Sequence, residues 1–379
     1  MTIRIPYGRQ TIDESDLEAV REALTSDWLT QGPKVEEFEK ALAEYCGVRF
    51  AVAYSNGTAA LQGAYAAAGL KAGDEFITSP LTFAATATAG LWQGAAPVFA
   101  DIDEATGNLD PEACRRAITP RTRALVPVDY AGRPADLDAF RTLAKTHGLL
   151  LIEDACHALG ASYGGRRIGA VSDMTIFSFH PVKSITTGEG GAVLTDDPTL
   201  RDALAHFRQH GIRRGEDWMY YVESLALNYR LTDLQSALGV SQLKRLDSFV
   251  ASRRAIAARY RKAFAGWPEV EPETAPIDGS AWHLYVLRLR GAAAGKRKEV
   301  FQALRGAGVG VQVHYIPVYR HPFYEKLGYA RGLCPKAESF YERIISLPMY
   351  PTLTPQQQDE VVSILRKTLD GLHADRAAR

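Results

Sequence analysis

Ala51-Val52-Ala53-Tyr54-Ser55-Asn56-Gly57-Thr58 sets the pattern that the rest of the chain repeats. Four apolar residues make a short buried-type strand, and Ser-Asn-Gly-Thr is a turn that opens an alanine-rich helix to about residue 68. The same alternation follows in a strand at 75–78 with a helix at 82–92, and a strand at 97–100 with a helix at 110–118. Two further apolar strands, 124–128 and 149–152, flank a helix at 134–145. Strands alternating with helices of this length predict a mainly parallel sheet covered on both faces, an α/β fold. Upstream, Asp13 caps a helix to residue 24, a loop covers 27–33, and a second helix spans 35–46.

Downstream, the run 174–179 predicts a strand, 192–195 another, and 198–210 a helix. Thr232 caps helical spacing that continues over 233–264, read as one long helix bridging to a smaller unit. That unit holds a Pro/Glu-rich loop (268–280), strands at 283–289 and 309–313, and helices at 296–307, 335–345 and 355–372. Residues 374–379 are expected to fray. Two domains are predicted, a large α/β one over 1–245 and a C-terminal α+β one over 246–379.

Composition excludes several functions. With 379 residues, 46% of them hydrophobic, the core needs no disulfide or metal. Forty-four basic residues balance 44 acidic ones, so nothing in bulk charge favours nucleic acid or a membrane surface. Cys46, Cys114, Cys156 and Cys334 form no CxxC pair, which gives no zinc signature and fits reduced thiols in a cytoplasm. No secretion-type apolar segment stands in residues 1–15, and no apolar run is long enough to span a membrane.

In an open α/β sheet, ligands bind beyond the carboxyl ends of the strands. Ser55-Asn56-Gly57-Thr58 lies at such an end, where helix N-terminal amides favour a phosphate; an ordinary N-cap gives the same pattern. Glu153-Asp154 ends the strand 149–152, and a carboxylate there either pairs with a cationic ring nitrogen or caps a helix. Ser178-Phe179-His180-Pro181-Val182-Lys183 then brings a hydroxyl and a lysine to the end of a third strand, before the cluster Gly188-Glu189-Gly190-Gly191. A desolvated lysine loses its proton more readily and becomes a nucleophile. Phosphate cradle, carboxylate, hydroxyl and lysine are the parts that pyridoxal phosphate requires.

With those residues in this order the chain resembles the DegT/DnrJ/EryC1/StrS sugar aminotransferases, fold type I pyridoxal phosphate enzymes with a mainly parallel sheet and a smaller C-terminal α+β domain. The resemblance runs from Trp28-Leu29-Thr30-Gln31-Gly32-Pro33 to the last helix. It includes Pro80-Leu81-Thr82-Phe83-Ala84-Ala85-Thr86, Glu153-Asp154-Ala155-Cys156-His157, the lysine loop, Asn228-Tyr229-Arg230-Leu231-Thr232-Asp233 and Val313-His314-Tyr315.

The resemblance implies pyridoxal 5'-phosphate as cofactor, passing through pyridoxamine phosphate, with Lys183 as Schiff-base lysine and proton carrier. It implies Asp154 at the pyridine nitrogen, Gly57, Thr58 and Ser178 at the phosphate, and Asn228 reaching across from a second subunit of a homodimer. It places Phe83 on the cofactor ring and His157 beside it; a core aromatic and a hydrogen-bonded supporting histidine are the plain structural alternatives. Relatives with histidine at the lysine position run a dehydration, so Lys183 favours amino transfer.

Val128-Asp129-Tyr130-Ala131-Gly132 and Gln312-Val313-His314-Tyr315-Ile316-Pro317-Val318-Tyr319 resemble the subgroup that makes UDP-4-amino-4,6-dideoxy-N-acetyl-β-L-altrosamine for pseudaminic acid. That likeness implies L-glutamate as donor and a UDP-linked 4-keto-6-deoxy-N-acetylhexose as acceptor. It would set Tyr7, Ser55, the loop Asp27, Trp28, Leu29, Thr30, and the segment His314, Tyr315, Ile316, Pro317 around the nucleotide-sugar. A dTDP- or GDP-linked keto sugar is the competing acceptor, and a cofactor-binding regulator the competing class. A phosphate-loop module is set aside, because the glycines follow the lysine and the GxxxxGK[ST] spacing is missing.

Overall fold

The computed structural model describes residues 2–274 and 276–377. In chain order the first elements are α1 (Glu14–Leu24), α2 (Pro33–Cys46), β1 (Phe50–Tyr54), α3 (Gly57–Ala67), β2 (Glu75–Thr78) and α4 (Ala85–Trp92). Next come β3 (Ala96–Phe99), α5 (Pro111–Ala117), β4 (Thr122–Val126), α6 (Leu137–His147), β5 (Leu150–Asp154), and a short ribbon of β6 (Ser162–Tyr163) and β7 (Arg166–Arg167). The middle of the chain holds β8 (Met174–Ser178), β9 (Gly191–Thr195), α7 (Pro198–Arg208), a hairpin of β10 (Ile212–Arg214) and β11 (Tyr220–Val222), α8 (Asp233–Leu243) and α9 (Leu246–Phe264). The last part has β12 (Tyr285–Arg288), α10 (Arg297–Gly306), α11 (Pro322–Lys326), α12 (Pro335–Arg343), β13 (Ile344–Leu347) and α13 (Pro355–Ala377).

Seven strands form one sheet in the order β1-β9-β8-β5-β4-β2-β3. Six run parallel, and β9 alone is reversed, antiparallel to β1 on one side and β8 on the other. The expected α/β architecture is therefore present. The central strands are buried along almost their whole length, as both-face coverage requires. One apolar cluster packs α2 and α6 under the sheet through Phe38, Leu42, Phe140 and Phe177. On the other face α3 packs through Ala60, Leu61 and Tyr65 against Val52, Phe76 and Ile176.

A further cluster joins α9, α10, α13, β12 and β13 through Ile256, Tyr260, Val300, Leu304, Ile345 and Leu365. Ile5, from the start of the chain, is buried in it and bridges to Val309. Helix α9 contributes Leu246, Phe249 and Val250 to the sheet cluster and its second half to this one.

Four expectations are corrected. The single helix at 233–264 is two, broken at Lys244 and Arg245. The cause is tertiary: the Arg245 guanidinium turns to Asp13 and to the fully buried Asp16 of α1. Residues 344–345 are not the tail of a helix but the start of β13, buried at every position and paired antiparallel with β12. No strand forms at 309–313, where isolated bridges join Ile5 to Val309 and Gln312 to Ser346. The C-terminal helix runs on to Ala377, past its expected end at 372, and 378–379 lie outside the described residues.

The seating of α3 can be tested at Gly63, where an added Cβ would stand 2.3 Å from the Tyr54 hydroxyl. That hydroxyl is itself fixed by donating to Leu204 O at 2.8 Å. Gly63→Ala is expected to cost about 1–3 kcal/mol in denaturant unfolding, as overpacking does. Gly306→Ala, at the end of α10 with nothing within 4 Å, is expected to gain up to ~1 kcal/mol by the same measurement.

Candidate active site

The carboxyl ends of β1, β5 and β8 open onto one cleft of about 830 Å³, lined by Gly57, Thr58, Asp154, Ser178 and Lys183 among others. Helix α3 starts at its edge. Asn56 caps that helix by accepting from Ala59 N at 2.8 Å, and the first helical amides have no intrahelical acceptor. A Cβ on Gly57 would lie 2.9 Å from Ser178 Cβ, so only glycine lets the helix start approach the end of β8 this closely.

Asp154 is held from two sides. Its Oδ2 accepts from Thr86 Oγ1 at 2.6 Å, and its Oδ1 accepts from Cys156 N at 3.2 Å. Thr86 is 2.7 Å from Thr82, which lies in the loop before α4, so α4 and that loop orient the carboxylate. Lys183 follows β8 in a loop pinned by Lys183 N donating to His180 O and Thr187 N donating to Phe179 O. Burial lowers its ammonium below the usual lysine range, while Cys156 and Asp154 act in the opposite sense. The Cys156 thiol also lines the cleft, but burial and the nearby Asp154 carboxylate push it well above its usual range. Lys183 is the better-placed nucleophile.

Three histidines line the cleft beside the lysine: His157, His283 and His314. The rings of His157 and His283 are 4.3 Å apart, and His157 Nε2 meets the Tyr315 hydroxyl at 3.0 Å. The Nδ1 atoms of His157 and His283 are buried with no hydrogen-bond partner among the described residues. His314 Nδ1 meets Ser346 Oγ at 2.8 Å, and its carbonyl accepts from the Tyr130 hydroxyl. Burial holds His157 and His283 well below the usual imidazole range; burial and the nearby Lys183 bring His314 down to about 4.

Of the residues singled out in the sequence, Tyr7, Gly57, Thr58, Phe83, Asp154, His157, Ser178, Lys183, His314 and Tyr315 line this cleft. Phe83 is 62% exposed, so it stands over the opening and not in the core. The others are elsewhere on the chain. Trp28 and Leu29 are about half exposed beside Asp27, Thr30 bridges to Thr232, and Ser55 N donates to Tyr229 O. Asn228 and Ile316 are exposed outside the lining, and Pro317 is buried outside it. Sequence reasoning missed Thr86 and His283. The helix expected from 82 starts only at Ala85, so the four-residue spacing of Thr82 and Thr86 is not a shared helical face; His283 carries no signal.

The neutral histidines make acid sensitivity a test of this geometry. The unfolded chain takes up protons near pH 6.5 at each histidine, and the folded cleft refuses them until much lower pH. Stability is therefore complete above pH 6.5 and is lost as pH falls below it. At pH 5 His314, brought down to about 4, is expected to cost about 2 kcal/mol relative to pH 8, read as a lower guanidinium midpoint, and His157 and His283 act in the same direction. In His314→Asn the acid loss should shrink by that share.

Residues 10–366 match the DegT/DnrJ/EryC1/StrS aminotransferase family. The spore coat polysaccharide biosynthesis protein SpsC of Bacillus subtilis is 43% identical, over 97% of each chain. Helicobacter pylori PseC, an aminotransferase involved in the biosynthesis of pseudoaminic acid, superimposes with a TM-score of 0.93 at 35% identity, over 97% of this chain and 99% of that one. The pyridoxal phosphate form of Spr1654 of Streptococcus pneumoniae gives 0.92 at 30% identity, over 97% and 99%. Family members use pyridoxal phosphate, a glutamate-type donor and a nucleotide keto-sugar. The cleft fits that cofactor: a glycine-lined helix start for the phosphate, an oriented carboxylate and a desolvated amine. By sequence and by structure the chain belongs to the DegT/DnrJ/EryC1/StrS family and is a pyridoxal phosphate-dependent sugar aminotransferase.

Proposed function

We propose that the protein moves the amino group of L-glutamate to C4 of a UDP-linked 4-keto-6-deoxy-N-acetylhexose, as in the synthesis of UDP-4-amino-4,6-dideoxy-N-acetyl-β-L-altrosamine for pseudaminic acid. The observation that carries amino transfer is the convergence of Lys183, Asp154 and the start of α3 on one cleft. Choice of acceptor is supported by the likeness to PseC.

Each residue then has a physical task. Gly57, Thr58 and Ser178 hold the cofactor phosphate with amides, hydroxyls and the helix dipole. Asp154, kept in place by Thr86, would pair with the pyridine nitrogen and hold a proton there. Pyridoxal phosphate supplies an electron sink for the carbanion that deprotonation leaves. Lys183 Nζ holds the cofactor between turnovers, takes the α-proton of glutamate and later returns a proton at sugar C4. Burial readies it for both jobs by disfavouring the ammonium. His157 and Phe83 flank the ring. Tyr7, His314 and Tyr315, which line the cleft, would face the nucleotide-sugar.

A second copy of the chain completes the site in this reading. Asn228 is exposed, and next to it Trp218, Tyr220, Tyr221, Val222 and Leu225 form an apolar surface unusual for a monomer. The homodimer would cover that surface and bring Asn228 to the partner's phosphate site. Among the described residues no helix is long and apolar enough to cross a membrane.

An absorbance scan of the cofactor-loaded protein tests the reaction. A visible band should bleach with L-glutamate and return with the UDP-keto sugar. Return only with a dTDP- or GDP-keto sugar would replace the acceptor, and a band indifferent to glutamate would overturn amino transfer. Lys183→Ala is expected to keep its melting temperature and lose ~10³-fold or more in turnover. Borohydride should fix the cofactor to the wild-type chain and not to this variant.

A further inference from the structure

Arg253 of α9 is completely buried, and its guanidinium meets carbonyl oxygens only. Nη1 donates to Met349 O at 3.0 Å, His283 O at 3.2 Å and Trp282 O at 3.4 Å, and Nη2 donates to Val182 O at 3.4 Å. Nε makes no hydrogen bond among the described residues. Burial alone brings the group down to about 10, with no carboxylate opposing it. A buried charge without a counter-ion is a poor stabilising device, since an apolar side chain of similar volume often serves the fold as well.

What the four carbonyls share is their connection to the cleft. Val182 precedes Lys183, and His283 is itself a lining residue. Met349 N donates to Tyr7 O at 2.9 Å, so the third segment holds Tyr7. These segments are far apart in the chain. We propose that Arg253 is a positioning residue of the active site: one planar guanidinium sets the register of the three segments that present Lys183, His283 and Tyr7. The fork geometry suits this task, because a guanidinium directs donors to several acceptors at once, which an ammonium does less rigidly.

The inference rests on Lys183 as the reactive amine, and its test reads Lys183 directly. Cofactor-free protein is labelled with acetic anhydride across a pH series, and Lys183 acetylation is followed by peptide mass spectrometry beside exposed Lys40. Around Lys183 the groups that influence or feel its charge are Asp154, Cys156, His157, His283 and His314, all left unchanged. In the wild type the Lys183 midpoint should lie below that of Lys40. In Arg253→Met the released loop solvates the amine, and the midpoint should rise by about one pH unit, roughly tenfold less labelling near neutrality. Arg253→Lys should rise less. Leu365→Ala, which hollows the remote C-terminal cluster, should lower the melting temperature and leave the midpoint in place.

An Arg253→Met midpoint equal to wild type overturns the proposal and leaves Arg253 a structural residue. If that variant does not fold, an unchanged midpoint in Arg253→Lys overturns it equally. A wild-type Lys183 that labels like Lys40 would remove the lysine from the chemistry, and the proposal with it.

Discussion

Gly191 is paired on both edges of its backbone, to Tyr54 of β1 and to Ser178 of β8. Everything at the active site depends on that double pairing. It forces the chain to double back after β8, which lifts Lys183 out of the sheet as part of a connecting loop. It also sets the end of β1 beside that loop, so α3 begins where the lysine is. The approach is close enough that a Cβ on Gly191 would stand 2.6 Å from Asn56 O. A side chain here would push the helix start away from the end of β8, and the hydrogen-bond ladder that aligns them would be lost.

Around that nexus the protein buries polar groups it has to satisfy. Asp154 accepts from a threonine and an amide. Behind it, Glu153 accepts from Ser172 at 2.8 Å and from Thr175 at 3.0 Å, with the Asp129 carboxyl nearby. Both carboxyls are completely buried, and burial pushes both up; for Asp129, nearby Glu153 acts in the same sense. One acid of the pair retaining its proton spares the sheet two adjacent negative charges next to Asp154. The cleft thus meets its contents with one oriented carboxylate, neutral imidazoles and a desolvated amine.

The sheet half of this arrangement was legible in the sequence because it is periodic. Each strand is a short apolar run closed by turn residues, and Gly57, Thr58, Asp154, Ser178 and Lys183 all stand at strand ends or just beyond them. Where tertiary contacts override local pattern, the sequence is silent. The break at Lys244 and Arg245 exists because Arg245 binds α1, and nothing within the helix announces it. Ile344 and Ile345 follow a helix without a turn residue, so an apolar strand looks like one more helical turn. His283 and Arg253 belong to the site only through folding, the first as a lone histidine and the second as one arginine among many on a bridging helix.

The floor and the rim of the cleft are built by different means. Asp154 ends a strand of the seven-stranded sheet, and Lys183 and the start of α3 lie on the connections its paired strands hold together, whereas Tyr7 and His314 sit on segments joined to their neighbours by isolated bridges. Mutational drift is therefore unevenly tolerated. In the proposed reaction, substitutions along the rim would change which sugar or nucleotide is greeted and leave the sheet below intact. A scaffold divided in this way can diversify by gene duplication into enzymes that share one reaction and part company over what they aminate.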